Sequence, residues 1–235
     1  MKATYVEPSR TPLTFEQAVA AMAWALKSQI GSDPSPETLA LALAKTALET
    51  ARWTQIWNAN WGNIKAGDDY VGMFTCITLN EVIDDRVVWF APEGQLTAAP
   101  SRGGRITGTT YPVPDGHPQT RMRAYANEFD GVDGYVTFVA KGRYAQAWKR
   151  LLAGDAQGYV HQLKAKGYFT ADESTYAKGV CSLQREYLAR LNSEEPPPQA
   201  DLEWLRLLHA VPLLQYDVSE LLETSYGPDF GEHLG

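Results

Sequence analysis

The sequence predicts an α+β, mainly helical fold with a small β-hairpin lobe, and three observations carry that expectation. Two capped helical stripes open the chain, a stretch rich in β-branched residues follows near residues 74–90, and from Val132 onwards apolar residues recur at helical spacing in short segments.

Thr14, before Phe15-Glu16-Gln17, caps a first helix running to about Ile30, with Phe15, Val19, Met22, Ala23, Leu26 and Ile30 on one stripe. Gly31-Ser32-Asp33-Pro34 breaks it. Ser35 followed by Pro36 marks the start of a second helix, with an N-cap and then proline at the first helical position. Its Leu39, Leu43, Ala44, Ala47, Leu48 and Ala51 give a small-residue helix that packs closely on its neighbours and is buried over most of its circumference. Glu49 sits in the last turn. An ionisable side chain there must point into a cleft, find a partner or reach solvent.

Trp53, Trp57 and Trp61 follow at once, interleaved with Asn58, Asn60, Asn63 and Lys65 in a segment that reads as loop. Loops run over the surface, so three indoles in such a stretch point beyond core packing. Flat rings beside amides suit a sugar, whose C–H faces lie on aromatic planes while its hydroxyls take hydrogen bonds.

Residues 74–83 and 86–90, joined at Asp84-Asp85, read as two strands and a tight turn. Alternation puts Glu81 on the face of Ile77, Leu79 and Ile83, either as an edge charge that discourages aggregation or as a functional acid. Residues 91–118, rich in Gly, Pro, Ser and Thr, read as long loops with room for one more hairpin. Beyond them come helical faces at Val132, Tyr135, Phe138 and Val139, at Ala147, Trp148, Leu151 and Leu152, and at Ala156, Val160 and Leu163, before a longest helix over 173–191. Glu194 to Pro198 form a stiff linker, after which Asp201 caps a short helix carrying Trp204, Leu205, Leu208 and Val211. The domain reading is therefore 1–192 with its β-rich lobe at about 70–125, a Pro-rich linker at 193–200, and an appendage at 201–235 suited to docking a partner protein.

Composition removes several function classes. A net charge of −7 and a pI near 5.1 argue against nucleic acid, which wants a basic face. No run of about 18 apolar residues spans a bilayer. Residues 1–8 lack an apolar h-region, so no secretory signal is expected and the export route stays open. Cys76 and Cys181 make neither a disulfide framework nor a metal site, and His117, His161, His209 and His233 lack zinc-hydrolase spacing. Neither metal nor cofactor is expected.

Ala47-Leu48-Glu49-Thr50, followed by Asn60-Trp61-Gly62-Asn63-Ile64-Lys65-Ala66, resembles the glucosaminidase domain of bacterial cell-wall hydrolases, glycoside hydrolase family 73. That family carries Glu-Thr on a helix and then Asn, aromatic, Gly, Ile, Lys; here Asn63 stands between glycine and isoleucine. Arg121 to Tyr125, Gly134 to Val139 with Arg143-Tyr144, and Gly167 to Asp172 with Tyr176-Ala177 are similar to its later signatures. The resemblance implies a lysozyme-like helical domain whose hairpin lobe flanks a substrate groove. It implies an endo-β-N-acetylglucosaminidase that acts on the glycan strands of peptidoglycan, in the cell wall, cutting the β-1,4 bond after N-acetylglucosamine.

Cleaving that bond needs a protonated carboxyl beside the leaving oxygen and a way to stabilise the oxocarbenium centre. Glu49 is the expected general acid, and partial burial against Trp57, Trp61 or Leu48 would favour its protonated form. Glu81 is the expected second acid, with Asp68, Asp69, Asp84, Asp85 and Glu93 as stand-ins. Trp57, Asn60, Trp61, Tyr135 and Tyr168 are expected against substrate; Lys65 and Arg123 either meet a lactyl or peptide carboxylate or are structural. Two other readings stay open: a lytic transglycosylase or muramidase on the same fold, and a non-catalytic glycan-binding component of a phage tail or secretion apparatus. Thr50 stands where transglycosylases usually place serine.

Overall fold

Both expected caps form and fix where the first two helices begin. In the computed structural model, which describes residues 3–83, 86–92, 108–111 and 120–193, α1 spans Phe15–Ile30 and α2 spans Pro36–Glu49. The Thr14 hydroxyl accepts from the Gln17 backbone N–H while the Gln17 side chain accepts from the Thr14 N–H, a reciprocal capping box. Gly31, at φ 83°, ends α1 in the left-handed region. The Ser35 hydroxyl accepts from Thr38 N–H and Pro36 starts α2, whose residues from Thr38 to Ala47 are all buried. A helix buried all round becomes the axis of its domain.

The expected continuation of α2 through Ala51 does not occur. Ala51, Arg52 and Trp53 take φ values of 49°, 56° and 61°, the left-handed region that costs a residue with a Cβ about 1–2 kcal/mol. Thr50 holds the reversal: its hydroxyl donates to Thr46 C=O at 2.7 Å and accepts from Trp53 N–H at 3.2 Å. Trp53 Nε1 donates in turn to the Thr46 hydroxyl at 3.1 Å, so the chain folds back beneath the helix it has just left.

The later helices follow the apolar stripes: α3 (Glu128–Ala140), α4 (Ala145–Leu152), α5 (Ala156–Ala165) and α6 (Glu173–Leu191), with a 3-10 turn at Gly142–Tyr144. Asn127, Asp155 and Asp172 cap α3, α5 and α6. α2 packs most extensively on α6, and α1 packs on α3.

Among the described residues two small sheets complete the architecture, which is α+β and mainly helical with a β lobe. β1 (Thr4–Tyr5) lies parallel to β2 (Met73–Cys76), which pairs antiparallel with β6 (Arg121–Ala124). β3 (Leu79–Ile83) and β4 (Arg86–Pro92) form the expected hairpin, with Glu81 opposite Val88, and β5 (Gly108–Tyr111) lies parallel to β4. The strand read over 74–83 thus breaks at Ile77-Thr78 and serves two sheets. Of residues 91–118, where one more hairpin is expected, only 91–92 and 108–111 are described, so that expectation lies largely outside the described residues. The linker from 194, the appendage to 235, and Asp84, Asp85 and Glu93 lie outside the described residues. Among the described residues no helix is long and apolar enough to cross a membrane.

Candidate active site

Glu49, the last residue of α2, reaches the wall of a cavity of about 760 Å³ lined also by the loop after α2, the start of β3, and residues of α3, α6 and the turn before α6. Its side chain is 17% exposed. Oε1 accepts a hydrogen bond from the Tyr176 hydroxyl of α6 and stands 3.4 Å from the Lys45 ammonium one turn back on α2. Oε2 has no partner among the described residues. Burial, then the Glu49 carboxylate beside it, pushes the Tyr176 phenol well above its usual range. Tyr176 therefore stays a donor at neutral pH and fixes one oxygen of Glu49.

The expected indole neighbours of Glu49 are replaced by this lysine and tyrosine. Trp53 is core, stacked on Tyr187 with centroids 5.3 Å apart. Trp61 is core as well: it is fully buried and its Nε1 donates to Glu128 C=O at 3.1 Å, so it offers no face to a ligand. Trp57 alone of the three lines the cavity, with the Arg10 guanidinium 4.9 Å from its ring centroid.

Asn60 is a second correction. It is buried, and its amide both donates to Ile64 C=O and accepts from Ile64 N–H at 2.9 Å, which closes the loop on itself and engages both ends of the amide. The amide at the cavity is Asn63, which takes φ 49° and donates to the Glu49 backbone C=O at 2.7 Å. Asparagine tolerates this left-handed conformation better than most residues, which gives the extra residue after Gly62 a purpose: it ties the loop to the end of α2. Gly62 allows the approach behind it, since a Cβ there would lie 2.6 Å from the Tyr135 ring and 2.7 Å from the Tyr168 hydroxyl.

Tyr135 lies under the site. It is buried, bonded through its hydroxyl to Tyr159 at 3.0 Å, and does not line the cavity. Tyr168 does line it; its hydroxyl donates to Gly62 C=O at 2.8 Å. Phe138, Phe169 and Tyr176 add aromatic lining, Phe169 stacked on Tyr176 at 3.9 Å. Lys65 and Arg123 are brought to the cavity together, Lys65 bridged to Met122 and Arg123 N–H donating to Ile64 C=O at 2.9 Å. The Arg123 guanidinium lies 4.7 Å from the Tyr70 ring and 5.0 Å from that of Phe138.

The β lobe reaches the cavity through Ile77 and Leu79. Glu81 lies two residues further along β3, and its side chain is outside what the structure describes. Asp68 and Asp69 are exposed and do not line the cavity. Among the described residues no group of three His, Cys, Asp or Glu could hold a metal ion.

Lys45 and Tyr176 entered the sequence reading in no catalytic role. Lys45 carried a signal: it is the one cation in an Ala/Leu-rich helix and stands four residues before the glutamate, the spacing that puts two side chains on one helix face. Tyr176 was visible in the Tyr176-Ala177 pair that resembles a family signature and as an apolar position of the helix over 173–191, with no role at the site attached to it.

No protein-family model matches the chain, and no curated protein matches it. Two solved structures are similar. One is a peptidoglycan hydrolase mutant from Sphingomonas sp. A1, at 20% identity and a TM-score of 0.46, covering 74% of this chain and 99% of that one. The other is a C-terminally truncated glycoside hydrolase domain of FlgJ from Salmonella typhimurium, at 18% identity and a TM-score of 0.44, covering 74% of this chain and 97% of that one.

Proposed function

We propose that this protein is a glycoside hydrolase that cuts the glycan strands of peptidoglycan after N-acetylglucosamine, with Glu49 as general acid. The observation that supports it is the carboxyl of Glu49 at the cavity wall, one oxygen bonded to Tyr176 and the other without a partner among the described residues. A proton donor for a glycosidic oxygen needs that combination of fixed direction and a free reactive edge.

In this reading sugar rings lie against Trp57, Tyr168 and Phe169, whose faces meet C–H groups, and Asn63 offers its amide at the same wall. Lys65, Arg123 and Arg143 give the described lining three cations, suited to the lactyl or peptide carboxylates that such strands carry. Glu49 protonates the leaving oxygen as the bond breaks. Glu81, on the strand that continues from the lining residue Leu79, is the second acid, which activates water or steadies the substrate's acetamido group.

Mass analysis of the ends released from purified peptidoglycan tests the reading. Reducing N-acetylglucosamine ends are expected. Anhydro-muramic ends would make the chain a lytic transglycosylase, reducing muramic ends a muramidase, and binding without products a non-catalytic glycan module; each overturns the proposal.

A further inference from the structure

Lys45 is fully buried in the middle of the molecule, an environment in which lysine is almost never found unless paired. Its ammonium stands 3.8 Å from the Tyr168 ring centroid and 5.5 Å from that of Tyr135, under the floor of the cavity. Its Nζ makes no hydrogen bond among the described residues, so it is not there to satisfy a carbonyl or to cap a helix. The one carboxylate within 4 Å of it among those residues is Glu49.

Resting on the assignment of Glu49 as general acid, we propose that Lys45 is a positioning residue that stabilises the ionised form of Glu49 and thereby sets the alkaline limit of catalysis.

The groups around the pair leave these two to decide its charge. Tyr135 on α3, Tyr159 on α5, Tyr168 in the turn before α6 and Tyr176 on α6 are all held above the ordinary phenol range by burial, so they stay neutral. The charged groups of the other helices packed on α2 face elsewhere: on α1 Glu16 pairs with Arg190 and Lys27 with Asp33, and on α4 Arg150 pairs with Asp155 while Lys149 is exposed. On α6 Glu173 pairs with His161 and Glu186 with Arg52. Burial, opposed by the Glu49 charge, brings the Lys45 ammonium down to about 8. At neutral pH Lys45 is therefore mostly charged, and its field favours the Glu49 carboxylate over the acid that protonates a leaving group. Above that value the ammonium empties and the bias fades.

The test compares the parent chain with Lys45→Met, which keeps length and loses charge. Two readouts are followed from pH 4 to 10: the rate of peptidoglycan digestion, and the ¹³C carboxyl titration of Glu49, assigned by its loss in Glu49→Gln. Both the alkaline limb and the carboxyl midpoint are expected to move to higher pH in Lys45→Met, because an opposite charge 3.4 Å from the carboxylate is removed. Lys45→Gln, uncharged but polar, gives the same shift and serves where methionine does not fold. A limb and a midpoint that superimpose on the parent's overturn the proposal. The carboxyl titration is independent of whether Glu49 donates a proton, so losing that assignment and losing this one are separate results.

Discussion

The cost of keeping an ammonium at Lys45 also makes a stability prediction. Its folded value of about 8 lies below the roughly 10.4 of an unfolded lysine, so between those two pH values the unfolded chain binds more protons. Stability contributed here rises as pH goes from about 8 to about 10.4, and the full penalty, on the order of 3 kcal/mol, applies below 8. Urea unfolding should find Lys45→Met more stable than the parent at pH 7 by up to about that amount, with the difference closing by pH 10. A parent more stable than the variant at pH 7 would mean that the Glu49 pair outweighs the burial cost. Glu49 itself was legible because a helix-end acid is followed by a recognisable loop motif. Lys45 was harder to read, because what makes it matter are rings brought from α3 and from the turn before α6, contacts that no local window contains.

At the scale of elements, the caps at Thr14 and Ser35 made the first two helices legible, while α3, α5 and α6 were legible only from their apolar stripes and are capped in the structure by Asn127, Asp155 and Asp172. The loop after α2 was misread for a physical reason. The left-handed run of Ala51, Arg52 and Trp53 reverses the chain and drives Trp53 and Trp61 inward, and no propensity scale anticipates three such residues in succession. What lets this loop dock on α3 is Gly131, where a Cβ would lie 1.9 Å from the Ala59 carbonyl oxygen, a clash with backbone that no rotamer relieves. Gly131→Ala is expected to cost about 1–3 kcal/mol in thermal or denaturant unfolding, as overpacking does. Gly67→Ala, with nothing within 4 Å of the new Cβ, should stay within about 0.5 kcal/mol. Equal melting temperatures for the two variants would remove the close contact from the account.

Over the whole molecule, the helical body and the β lobe meet around one cavity whose described lining carries Lys65, Arg123 and Arg143 against Glu49, in a chain whose net charge is −7. Under the proposed function, attraction to an anionic polymer would be local to the cavity and not a property of the net charge. The mainly helical class with a β lobe was legible from periodicity, because the apolar stripes run at helical spacing along α1 to α6. The division of the strands between two sheets was not, since the pairings of β1 with β2 and of β2 with β6 join residues far apart in the chain. Under the proposed function all of it serves one carboxyl at the wall of that cavity. The most direct measurement is the rate at which Glu49→Gln digests purified sacculi beside the parent. The account predicts a folded variant slowed by about 10²–10⁴-fold, the usual share of a positioned proton donor. Digestion at the parent's rate would contradict it.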